Sequence, residues 1–264
     1  GRSLAIREEL GDKSGMGGSL NNIGAVHKEK GDYDTALDYY GRSLAIREEL
    51  GDKKGMGNSL NNIGFVHSDK GYYEKALDYY GRALAIQEEL GDKPGMGYSL
   101  NYVGVVHSYK GDYEKALDYY GRALAIQEEL GDNRAMGYSL NSIGVVQYNR
   151  GEYNKAVEHL EKSLAIQKEI RSKEIELPTN IYLYLSYKHL GKDYDEKEIH
   201  LLIKEAENIE FEVNYQLFKL LEDNSCLETA YNQVQEKASA MDDGKKFLSY
   251  PISKAIVETW ERAK

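Results

Sequence analysis

The chain of 264 residues holds one cysteine, one tryptophan and three prolines, and each scarcity excludes something. A lone Cys226 rules out an internal disulfide framework and a cysteine-rich zinc cage, so a reducing compartment and a cytoplasmic location are expected. No apolar run approaches the ~18 residues that would span a bilayer, so no membrane association is expected. Basic residues are in deficit, 34 Lys+Arg against 44 Asp+Glu, and the formal charge of -10 repels a phosphate backbone. Nucleic acid is therefore not an expected partner. Low proline combined with 26 glycines and 23 tyrosines is not the composition of a disordered chain. Something regular places those glycines.

The regularity is a period of 40. The segment GRSLAIREELGDKKGMGNSLNNIGFVHSDKGYYEKALDYY from Gly41 superposes on GRALAIQEELGDKPGMGYSLNYVGVVHSYKGDYEKALDYY from Gly81, with about three quarters of the positions matching, the signature of a repeat architecture. The opening string at Gly1 returns at Gly41, so the chain is expected to begin inside a repeat, with a partner segment upstream. The copy from Gly121 diverges after Tyr153, a degenerate unit covers about 173–210, and the period then disappears.

Within one unit Leu20, Ile23, Gly24 and His27 fall on one helical face, and Tyr33, Ala36, Leu37, Tyr40 and Leu44 do the same further on. Two amphipathic helices per unit follow. Gly31 stands where a left-handed cap would end the first helix, Asp32 can cap the second, and Gly51-Asp52 closes it. Gly24, Gly64, Gly104 and Gly144 lie inside the first helix, where glycine costs about 1 kcal/mol relative to alanine. Close approach of the second helix is expected there, with Ala36, Ala76, Ala116 and Ala156 as its small partners.

Leu20, Ile23-Gly24, His27, Gly31, Tyr33, Ala36, Tyr40 and Ser43 together resemble the tetratricopeptide repeat signature, with leucine and histidine where the family often has Trp and Tyr. The 40-residue spacing is similar to the long-helix repeats of kinesin light chains and spindle-orientation adaptors. The resemblance implies an all-α, right-handed α-solenoid of helix-turn-helix repeats that binds a protein or peptide in its concave groove. On this reading 1–172 form the solenoid, 173–210 the degenerate fifth unit and 211–264 a helical C-terminal cap. The lysines and arginines with which some family members clamp an acidic C-terminus are replaced by Asn21, Asn61, Asn101 and Asn141.

Differences between the copies concentrate in the first helix, at positions that line the family's concave surface: Gly18, Asn58, Tyr98 and Tyr138; Asn22, Asn62, Tyr102 and Ser142; Ala25, Phe65, Val105 and Val145. Lys28, Ser68, Ser108 and Tyr148, and Glu29, Asp69, Tyr109 and Asn149, vary likewise. Adaptation of this face to a ligand accounts for the pattern better than drift. Against it Asn21, Asn61, Asn101 and Asn141 stay fixed. A side-chain amide both donates and accepts, so such a row can hold the backbone of an extended peptide or, alternatively, fix the pitch of the array. Asn22, Asn62 and Phe65 extend the candidate surface, and Tyr98, Tyr102, Tyr109, Tyr138 and Tyr148 would form its anchor pockets, tyrosine giving large contact area at low entropic cost.

No catalytic residues, cofactor or metal site are expected. His27, His67 and His107 recur a helix pair apart and cannot share one ion, Met16, Met56, Met96 and Met136 sit beside the inter-unit turn, and GDKSGMGG follows a helix and lacks the phosphate-loop pattern. Cys226 has no basic neighbour to activate it. Beyond Phe211, apolar spacings fit three more helices, either an end cap or a segment that folds back into the groove or docks on an adjoining domain. The function expected is a non-catalytic interaction scaffold. Its alternatives are a regulatory module of a larger signalling protein with the groove filled in cis, and end-to-end self-association of near-identical units.

Overall fold

The period of 40 becomes a period of helix pairs. The computed structural model describes residues 2–206, 209–240 and 244–264, and every regular element among them is a helix. First helices α2 (Lys13–Glu29), α4 (Lys53–Asp69), α6 (Lys93–Lys110) and α8 (Asn133–Asn149) alternate with second helices α3 (Tyr33–Leu50), α5 (Tyr73–Leu90), α7 (Tyr113–Leu130) and α9 (Tyr153–Ile170). A shorter α1 (Arg2–Glu9) precedes them, and α10 (Glu176–Leu190) and α11 (Glu196–Glu205) follow. Beyond lie α12 (Phe211–Leu221), α13 (Asn224–Ser239), α14 (Gly244–Leu248) and α15 (Pro251–Ala263). Four helices stand where three were expected, because a turn before Pro251 separates α14 from α15. Two compact units result, 1–106 and 107–264, with the division inside α6.

The turns explain the helix ends. At Gly51, after α3, φ is 66°, a conformation in which a Cβ would be strained. The Gly51 N–H donates to the Glu48 carbonyl at 3.1 Å and the Asp52 N–H to the Arg47 carbonyl at 2.9 Å, satisfying carbonyls the helix leaves open. Asp52 then accepts the Gly55 N–H at 2.9 Å and so caps α4. Asp12 and Asp132 repeat this at 2.9 and 3.0 Å. The GDK strings are helix connectors, as their setting after a helix predicts.

The first helices α2, α4 and α8 pack against their second helices over a glycine. The neighbouring side chain differs from the expectation at all three of these sites. A Cβ on Gly24 would lie 2.8 Å from the ring of Tyr40, and one on Gly64 would lie 2.7 Å from the ring of Tyr80, not against Ala36 or Ala76. At Gly144 the contact is Leu160, at 2.6 Å, with the Ala156 carbonyl at 3.3 Å. The alanines are fully buried, but the glycine makes room for the large residue one turn further on. In the first unit Leu20, Ala36, Tyr40, Leu60 and Val66 form this core; in the second Leu160, Ile181, Leu185, Leu217 and Leu220 do.

The histidines are part of the scaffold. His27 lies 3.0 Å from the Asp32 carboxylate and stacks on Tyr39, and His107 lies 3.2 Å from Asp112 and stacks on Tyr119. Tyr72 replaces the aspartate beside His67, whose Nδ1 is left without a partner while its ring stacks on Tyr79.

Candidate peptide-binding face

The varied positions share one face of the first helices, and the two units present it differently. In the first unit the face is partly open. Asn22 and Tyr98 are exposed, the latter at 47%, while Asn21, Asn62, Phe65, Asn101 and Tyr102 are half-buried. Asn62 donates to the Asn21 carbonyl oxygen at 2.9 Å, bridging α2 and α4. Phe65 meets Tyr102 edge-to-face at 6.1 Å, Tyr102 stacks on Tyr80 at 5.3 Å, and the Lys28 ammonium lies 4.3 Å above the Phe65 ring. Amide pairs beside an aromatic row supply hydrogen bonding and apolar area together. Burial raises the pKa of Tyr102, so its phenol stays protonated as a donor.

Asn61 stands apart from this row. It is 7% exposed, donates to the Ser99 hydroxyl at 2.9 Å and faces it again through its carbonyl oxygen at 3.0 Å. The Ser99 hydroxyl also contacts the Gln87 carbonyl oxygen at 2.7 Å, so three helices meet at one buried hydroxyl. Asn141 behaves similarly in the second unit, accepting from Thr179 at 2.9 Å while Gln167 approaches Thr179 at 3.2 Å. These asparagines are engaged in the joints between successive pairs. The recurrence of a hydroxyl residue twelve positions after a glutamine, Gln87 with Ser99, Gln127 with Ser139 and Gln167 with Thr179, was the sequence signal for the joint.

In the second unit Tyr109 and Tyr138 are half-buried, and Tyr138 donates to Glu174, which also pairs with Arg134. Burial, followed by that carboxylate, pushes the Tyr138 pKa up to about 12. Tyr148 is not an open pocket. It is 5% exposed, packed among Tyr153, Tyr182 and His189, and covered by Lys219 of α12. The side chains that cover it, Lys219 and Gln216, carry no repeat pattern in the sequence.

Among the described residues no group of three His, Cys, Asp or Glu side chains is placed to hold a metal, and no helix is long and apolar enough to cross a membrane. A concavity of about 610 Å³ lies between the start of α10 and α11–α12, lined by Leu177, Pro178, Leu202, Ile209 and Val213 among others. None of the candidate residues lines it.

The fold is shared with solved proteins of low identity. BtubC (BKLC) from P. vanneervenii superposes with a TM-score of 0.65 at 20% identity, over 77% of this chain and 85% of that one. A Rap protein complexed with competence and sporulation factor gives 0.64 at 16% identity, over 95% and 74%. Aspartyl phosphate phosphatase F from Bacillus subtilis gives 0.62 at 18% identity, over 93% and 59%. No curated protein matches the chain in sequence. The tetratricopeptide repeat model matches three overlapping stretches, 15–89, 55–129 and 95–169, together more than half of the chain. With the helix pairs, the left-handed glycine turns and the glycine-on-ring packing in place, the chain belongs to the tetratricopeptide repeat family.

Proposed function

We propose that the chain is a non-catalytic interaction scaffold that takes an extended peptide or a partner's helix along the face of its first helices. The observation that carries this reading is the first unit's row of Asn22, Asn62, Phe65, Tyr98 and Tyr102, varied between repeats and set beside the fixed Asn21, with Asn62 bonded to Asn21 and Phe65 and Tyr102 held by ring contacts. Asn22 and the Asn21–Asn62 pair would meet the ligand backbone, and Phe65, Tyr98 and Tyr102 its side chains. In the second unit Tyr109 and Tyr138 would serve as contact residues of that unit's own first helices, while Asn61 and Asn141 would hold successive first helices at the right spacing within each unit. The Rap protein solved in complex with competence and sporulation factor shares this fold, and that supports a bound factor as the ligand. The single cysteine fits a cytoplasmic setting.

The test is capture from a lysate by the full chain and by a variant carrying Asn22→Ala and Tyr98→Ala, read by mass spectrometry. Both side chains are exposed, so helicity and melting should be unchanged. The reading expects a defined set of proteins to be retained by the original and lost by the variant. Identical sets would remove the first-helix face as the site.

A further inference from the structure

The second unit's face is already occupied. α4, α8 and α10 each stack on the second helix before them, α3, α7 and α9. α12 instead lies across α10 and reaches α8, burying Leu217 and Leu220 in one cluster with Tyr148, Tyr182 and Leu185. A shift of 40 carries Ser142 onto Tyr182 and Tyr148 onto Lys188, so the covered residues are the ligand-facing positions of two successive units. Val145, another such position, packs against the same cluster.

Lys219 is the centre of the contact. Its ammonium donates to the Tyr148 hydroxyl at 2.9 Å and to the Gln216 carbonyl oxygen at 3.1 Å, and lies 4.9 and 5.8 Å from the ring centres of Tyr148 and Tyr215. The Tyr148 phenol and ring face belong to α8 and receive the cation, while Gln216 and Tyr215 of α12 itself steady the lysine over them. Lys188 closes the other end, donating to the Lys219 and Leu220 carbonyls at 3.3 and 3.2 Å and pairing with Glu222, where an α-helix leaves its last carbonyls open and favours positive charge. Tyr215 bonds Thr259 of α15 at 3.1 Å, and Pro251 at the head of α15 sits 3.2 Å from where a Cβ on Gly111 would lie. The tail thus follows the face rather than only covering the last helix pair.

We propose that α12 is an intramolecular ligand of the second unit, anchored by Lys219 on the hydroxyl and ring face of Tyr148. The proposal rests on the reading of this face as a binding surface. An external partner for this site must offer the same chemistry, an amphipathic helix with a lysine or arginine among leucines, and must displace α12 to enter.

The test is exchange in trans. A fluorescein-labelled peptide copying residues 209–222, IEFEVNYQLFKLLE, is titrated by anisotropy with the full chain as wild type and as Lys219→Ala, with Lys219→Met keeping the aliphatic stem should the alanine variant fold poorly. The expectation is binding about tenfold tighter to the variant chain, whose own α12 is weakened, and about tenfold loss when the peptide carries the same Lys→Ala change, each a ~1.4 kcal/mol difference. Equal binding of the two peptides, or no binding by a variant whose helicity and Trp260 emission match wild type, would make α12 permanent core and overturn the proposal. The lysate capture reads Asn22 and Tyr98 of the first unit, so either reading can fail while the other stands.

Discussion

Two glycines in the middle of helices should respond to alanine with opposite signs. At Gly81, in α5, a new Cβ meets nothing within 4 Å, so Gly81→Ala adds helix propensity with no packing cost. A stabilisation of about 0.5–1 kcal/mol is expected. At Gly64, in α4, the same change places a Cβ 2.7, 2.8 and 3.1 Å from three ring atoms of Tyr80. Tyr80 is 1% exposed and stacked on Tyr102, so its ring has no free direction in which to retreat. Overpacking of this kind costs about 1–3 kcal/mol, against the ~1 kcal/mol gained in propensity. The net is a destabilisation of roughly 1–2 kcal/mol at the upper part of that range, with a displaced Tyr102. Urea unfolding followed by circular dichroism, comparing midpoints at unchanged slope, reads both variants. A midpoint for Gly64→Ala at or above that of Gly81→Ala would refute the account of why first helices carry glycine.

Ser99→Ala removes the hydroxyl shared by Asn61 and Gln87 and leaves buried amide atoms unpaired; a loss of about 1–3 kcal/mol is expected in the same unfolding experiment. His67 should titrate below its usual range, first because burial disfavours its charged form and then because Lys75 and Lys70 oppose it. Its folded pKa lies below the unfolded value, so the unfolded chain binds more protons and this residue's contribution to stability falls as pH drops through about 6.5. Tyr72→Asp gives His67 the carboxylate that His27 and His107 have, and should raise that pKa in an NMR titration of the imidazole protons. Glu174→Gln should let the Tyr138 phenol, held at about 12, titrate earlier, read by comparing ultraviolet titrations with and without Tyr138→Phe.

Helix pairs, turns and caps were legible because each is set by neighbours in the chain: Gly51 and Asp52 need only their own turn to act. Partners across a helix pair were harder. Ala36 and Tyr40 sit one turn apart on the same face, and only the height of one helix against the other decides that the ring, not the methyl group, meets Gly24. Asn61 and Asn62 differ by about 100° of rotation, enough to place one in a buried joint with Ser99 and the other against Asn21. The burial of Tyr148 was illegible for a further reason, since Lys219 lies 71 positions away in a tail that has no period.

The glycine-aspartate turns have a consequence for how such a chain can change over generations. Turns after α3, α5 and α7 place glycine at φ 66°, 63° and 65°, so the backbone leaves each in nearly the same direction. The helices that follow share a methionine and a glycine at their fourth and fifth positions, Met56-Gly57, Met96-Gly97 and Met136-Gly137. Unequal recombination between two GDK strings would delete or duplicate 40 residues and still join matching ends, a cut that leaves no scar. Array length is then a heritable variable separate from groove chemistry, and near-identity of the second helices keeps it available.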